Sequence, residues 1–208
     1  MVRKSVAICC AIFLAFIVLS VSILRASAIN YSFLPSPVQT LAASEADVNI
    51  DYTLPYPGRV LPDHPLWAVK ALRDRLWLLV SVNPSRKAEL YLLFADKRLA
   101  SSKILFERGK ADLAFSALTK AEKYLELARL KDEENRKAGM DTRQFLTRLA
   151  NSALKHREVL NEILEIAPED AKPEIIKIES YSRDVYKDTR DTLNSLGMPI
   201  PNNPFNGD

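Results

Sequence analysis

Between residues 85 and 167 the chain has no proline, and glycine occurs there only at 109 and 139. Proline and glycine are the residues that interrupt helices. A stretch this long with only two glycine breaks specifies long helices joined by short turns. Apolar residues recur within it at three- and four-residue spacing, the period of an amphipathic helix. The pattern predicts five helices in antiparallel packing, a bundle or an elongated hairpin array, and the fold class is all-α. No alternating strand pattern competes with it.

Helix A is expected to begin near Pro65, with Asp63 as its cap and Leu66, Val69, Leu72, Leu76 and Leu79 as its buried stripe. Asn83-Pro84 ends A and starts B, whose stripe is Ala88, Leu92, Ala95, Leu99 and Phe106. Gly109 closes B, since glycine tolerates the left-handed backbone of a helix end. Helix C runs from Ala111 into the charged stretch 131–137, with Ala114, Ala117, Ala121, Tyr124, Leu125 and Ala128 inward. Gly139 and Asp141 precede helix D, with Phe145, Leu149, Ala153, His156, Leu160 and Ile163, and Pro168 stops it. Helix E carries Ile175, Ile178, Val185, Leu193 and Leu196 up to Gly197 and Pro199, and residues 198–208 are expected to be a disordered tail.

The first 28 residues differ from everything after them. Residues 5–24 are uncharged and mostly apolar, follow Arg3 and Lys4, and precede Ala26-Ser27-Ala28. Twenty residues of helix span a bilayer, and the small-x-small triplet is a cleavage pattern. Residues 1–28 therefore read as a signal peptide or a membrane anchor, and the rest as an exported domain, either released or held at the membrane. Residues 29–51 read as a linker, and 52–197 as a helical domain with a proline-rich N-terminal arm.

The formal charge is +3, from 29 basic and 26 acidic residues. Arg3, Lys4 and Arg25 supply that excess, so the remainder is neutral. A neutral domain lacks the basic footprint of a nucleic-acid binder. Both cysteines, Cys9 and Cys10, lie in the first segment, which removes disulfides, thiolate metal sites and thiol nucleophiles from the rest.

His64 and His156 are the available imidazoles. His64, in Pro62-Asp63-His64-Pro65, reads as a turn former. His156 on the apolar face of D is a weak metal candidate, better read as a histidine at the core edge whose nitrogen finds a partner. Lys70, Arg73, Asp74 and Arg75 on A, with Asp96, Lys97 and Arg98 on B, read as an ion-pair network or an anion surface. The adjacent acids Glu133-Glu134 and Glu169-Asp170 sit among lysines and arginines and read as solvated. No phosphate loop, dinucleotide fingerprint, nucleophile elbow or zinc-protease motif occurs. The expectation is a non-catalytic protein without a cofactor. It would be a structural or interaction module of the cell envelope, with an extracytoplasmic metal or small-ligand sensor as the alternative and a carboxylate hydrolase third. Its partners would be the membrane and an envelope protein or polymer. The candidate interaction surface comprises Tyr52, Tyr56, Trp67, Lys70 and Arg73. Tyr52, Tyr56 and Leu61 are apolar enough to dock, with Tyr56 and Leu61 expected near Trp67 and Tyr91.

Residues 52–65 (YTLPYPGRVLPDHP) and 66–80 (LWAVKALRDRLWLLV) resemble the opening of a bacterial extracytoplasmic family, domain of unknown function 5667. The likeness continues through 84–98 (PSRKAELYLLFADKR), 110–128 and 153–172 (ALKHREVLNEILEIAPEDAK), covering roughly residues 52–190. Trp67 stands where a tyrosine is common. Arg157 stands where an apolar residue often follows the histidine, which implies a more exposed His156. The resemblance implies an exported helical domain and brings no activity.

Overall fold

The computed structural model describes residues 50–205. Residues 1–28, expected to be a signal peptide or anchor, and most of the expected linker lie outside the described residues. Within them are five helices and no strand: α1 (Trp67–Val80), α2 (Pro84–Glu107), α3 (Ala111–Lys137), α4 (Arg143–Ile166) and α5 (Lys172–Ser195). None of these is long and apolar enough to cross a membrane.

The expected punctuation places the boundaries. Asn83 caps α2, its side-chain oxygen accepting from the Arg86 amide at 3.1 Å, with Pro84 in the first turn. Gly109 closes α2 at φ +70°, where the Lys110 amide turns back to the Leu105 carbonyl. Gly139 does the same for α3 at φ +81°. A side chain at either position would force an L-residue into the left-handed region.

Helices α2 to α5 belong to one compact unit with residues 50–67. In it α2 packs on α3, α4 on α5, and the two hairpins on each other. The core falls into two apolar halves. Ala88, Leu92, Ala95, Leu125, Ala128, Leu149, Ala153, Val185 and Leu193 fill one. Leu99, Phe106, Ala114, Leu118, Ala121, Leu160, Ile163, Ile175 and Ile178 fill the other. Following the chain, α2 runs from the first half to the second, α3 returns, α4 goes out and α5 returns. That order is the signature of an up-down-up-down antiparallel bundle. Ala114, Ala117, Ala121 and Ala128 of α3 are at most 4% exposed, and their size lets the neighbouring helices approach closely.

Residues 198–205 are not free of the bundle. The Tyr186 hydroxyl donates to the Pro201 carbonyl at 2.9 Å, and Phe205 packs on the first core half beneath the Arg157 guanidinium at 4.4 Å. The described part of the tail expected to be disordered is held by an aromatic and a cation–π contact.

Residues 68–80 fall in a second unit. Here the expected burial is reversed. Leu66, just before α1, and Val69, Leu72 and Leu79 are 53–76% exposed, whereas Asp74 and Trp77 are buried. Asp74 accepts twice from Arg73, through Nε at 3.1 Å and Nη2 at 2.7 Å. The apolar stripe read as core is therefore a surface of this helix. Asp63 does not cap it either. Its carboxylate accepts from Lys110 at 2.7 Å and Arg108 at 3.2 Å, and the hydrogen bond from Lys110 holds its pKa below the ordinary value. His64 supplies the turn, its Nδ1 accepting from the Leu66 amide at 3.1 Å.

Candidate functional sites

A polar layer separates the two apolar halves of the bundle. Asp96 follows Leu92 by four residues and precedes Leu99 by three, in phase with the stripe of α2. Glu122 stands likewise between Leu118 and Leu125 on α3, and His156 between Ala153 and Leu160 on α4. Helical geometry points all three inward at one height. His156 is fully buried, with Nδ1 2.6 Å from Glu122 Oε1 and Nε2 3.1 Å from Asp96 Oδ1. Ser152 donates to Asp96 Oδ1 at 2.7 Å, and the Tyr52 hydroxyl donates to Asp96 Oδ2 at 2.5 Å. Ser182 of α5, also fully buried, lies between Ile178 and Val185, where the two core halves meet on that helix.

Burial alone would push the His156 imidazole down. The charges of Glu122 and Asp96 and their hydrogen bonds outweigh it and raise the pKa to about 9. At neutral pH the ring is an imidazolium held between two carboxylates from two other helices. Burial, reinforced by Asp96, pushes the Tyr52 phenol well above its ordinary range, so it stays a neutral donor. Both imidazole nitrogens are occupied and the ring is sealed from solvent, so His156 is not placed as a metal ligand. Among the described residues no group of three or more histidine, cysteine, aspartate or glutamate side chains is arranged to hold a metal ion. Arg157 does not expose the histidine. It turns away, pairing with Glu179 at 3.2 Å and covering Phe205.

Two of the layer's three charged positions are hidden in the sequence: Asp96 sits with Lys97 and Arg98 and reads as surface charge, and Glu122 lies among the alanines of α3. The signal was present: an ionisable residue in phase with the apolar stripe near the middle of each of three consecutive helices. Spacing within one helix could not show that they meet.

At the end of the bundle where α2 begins and α3 meets α4 lies a cavity of about 340 Å3. Ser85 and Glu89 of α2, Asp132 and Asn135 of α3, Thr142 of the connecting turn and Arg148 of α4 line it. Asp132, Asn135 and Thr142 are 1%, 2% and 7% exposed. Asp132 Oδ2 accepts from Arg136 at 3.0 Å, but Asp132 Oδ1, Asn135 Nδ2 and Thr142 Oγ1 have no hydrogen-bond partner. Burial pushes the Asp132 carboxyl up, against the pull of Thr142 and Arg136. The sequence showed these residues only as part of a charged helix end.

The expected interaction surface is dispersed. Tyr52 is drawn into the polar layer and Leu61 is buried, whereas Tyr56 is 70% exposed and does not dock. Its position between Pro55 and Pro57 keeps that segment extended. Trp67 is half-buried with the Arg98 guanidinium 5.8 Å from its ring. Lys70 and Arg73 lie on α1, Lys70 half-buried and Arg73 tied to Asp74. Of the adjacent acids read as a solvated face, Glu133 pairs with Lys137, Glu134 with Lys131 and Glu169 with Lys172.

An antiparallel helical bundle with an ionic layer at mid-height is a class of architecture rather than an activity. The family follows from the sequence it is built on. The domain of unknown function DUF5667 matches residues 59–170, just over half the chain, and the chain belongs to that family. No curated protein and no solved structure matches it.

Proposed function

We propose that this protein is a non-catalytic interaction module of the cell envelope, exported or anchored by its first 28 residues, with α1 as its docking face. One observation carries the reading: most of the apolar seam of α1 is exposed. Val69, Leu72, Leu76 and Leu79 repeat with the three-four spacing of a coiled-coil seam, with β-branched Val69 at the first position and leucines at the others. Val69, Leu72 and Leu79 are more than half exposed. Burying what remains exposed of each would gain roughly 1–2 kcal/mol. Arg73 and Arg75 flank the seam on its two sides. Two copies paired antiparallel would bring these arginines together, so the fitting occupant is an amphipathic helix of a partner protein with acids beside its own apolar seam. The sealed His156 layer supports a structural role for the bundle's most charged group rather than a catalytic one.

A photo-cross-linking residue in place of Leu72, activated in intact cells, tests this. The expected adduct is with one other protein, at an acidic amphipathic helix, and is lost when Val69 and Leu79 become aspartate. Adducts with lipid alone, with a second copy or within the same chain would overturn the proposal.

A further inference from the structure

The cavity at the α3–α4 turn holds three buried polar atoms, on two different elements, that complete no well-formed hydrogen bond, the Thr142 hydroxyl lying close enough to pull on the Asp132 carboxylate and Asn135 Nδ2 having no partner at all. Such atoms cost about 1–3 kcal/mol each when left unmade. Native interiors hold few of them, and here they line one open space. They are also chemically unlike. Asp132 Oδ1 requires a donor, Asn135 Nδ2 requires an acceptor, and the Thr142 hydroxyl takes either. Asp132 and Asn135 are three residues apart on α3, so their side chains project side by side. A hydroxyl is both donor and acceptor, and neighbouring hydroxyls on one ring meet such a set with a single chemical group.

Charge narrows the ligand further. Each acid at the cavity already has a basic partner: Asp132 has Arg136 at 3.0 Å, Glu89 has Arg86 at 3.3 Å and Arg148 at 3.1 Å, and Asp141 has Arg143 at 3.8 Å. The site is therefore locally balanced and does not call for an ionic ligand. The same pairing leaves no unengaged carboxylate, of which acid–base hydrolysis would need a pair. The volume of about 340 Å3 lies at the small end of ligand pockets, room for one ring rather than a chain of them. The nearly buried Phe145 lines the cavity beside these groups and offers it apolar surface.

We infer that the cavity between the start of α2, the end of α3 and the start of α4 is a binding site for a neutral, sugar-sized polyol, held by Asp132, Asn135 and Thr142. This adds a ligand to the bundle and does not depend on what docks at α1.

The test uses the full chain in a detergent without a sugar headgroup. Glucose, galactose, mannose, N-acetylglucosamine and inositol are titrated by calorimetry and by saturation-transfer NMR, with putrescine and phosphate as charged controls. At least one polyol is expected to bind one-to-one. Asn135→Ala is expected to weaken it at least tenfold without lowering the Tm, because it removes a polar atom that is unpartnered in the free protein, and Thr142→Val is expected to weaken it while also releasing the hold of that hydroxyl on Asp132. Ser85→Trp, at an exposed rim position, is expected to block binding with the buried groups intact. The inference is overturned if no polyol binds below about 10 mM, if a charged control binds in its place, or if binding survives Ser85→Trp. Binding unchanged by both buried-site variants overturns it equally.

Discussion

The ionic layer makes this protein's stability depend on pH in a window where few proteins change. In the unfolded chain His156 titrates near its ordinary value of 6.5, and in the bundle it titrates at about 9. A folded pKa above the unfolded one means that the native state holds the proton more tightly. The resulting stabilisation is complete below pH 6.5 and is lost as pH rises through 9. At about 1.4 kcal/mol per pH unit, the separation amounts to about 3 kcal/mol, a large share of the 5–15 kcal/mol typical of a domain. The groups facing the ring are Glu122 from α3, Asp96 from α2, and Ser152 and Tyr52 through Asp96. The Tyr52 phenol stays neutral throughout this window because its pKa is raised well above 10.0. Denaturant melts of the full chain in detergent, from about pH 6 to about pH 10, read the effect directly. The unfolding free energy is expected to fall by about 3 kcal/mol, most of it between pH 7 and 9. His156→Gln removes the titrating group and leaves two buried acids without their counter-charge. It is expected to cost about 3–5 kcal/mol at pH 7, and any slope left is that of the two buried acids, whose charged forms then lack a partner. A wild-type profile flat across the window would refute the reasoning.

Two further outcomes follow from the packing. Tyr52→Phe removes one donor to Asp96 and should cost about 1.5–3 kcal/mol by denaturant melt, the range for a hydrogen bond to a charged group. Ala121→Leu forces extra methylenes into the fully buried seam of α3 and should lower stability by about 1–3 kcal/mol in the same assay.

The sequence alone determined the helices of the bundle. Asn83-Pro84, Gly109, Gly139 and Pro168 place breaks by local backbone chemistry that no tertiary contact has to supply. The stripes of α2 to α5 were legible for the related reason that a buried face repeats every three to four residues. Three things were decided only when the helices packed. The partners of His156 are 34 and 60 residues away in sequence, and only the alignment of α2, α3 and α4 brings Asp96 and Glu122 to its two nitrogens. The cavity likewise exists only where the ends of three helices fail to fill the space between them, leaving Asp132, Asn135 and Thr142 facing it. The stripe of α1 shows the converse. Periodicity identified an apolar face correctly but could not say whether the chain itself covers it, because a helix that docks on a partner has the same pattern as one that docks on its own core.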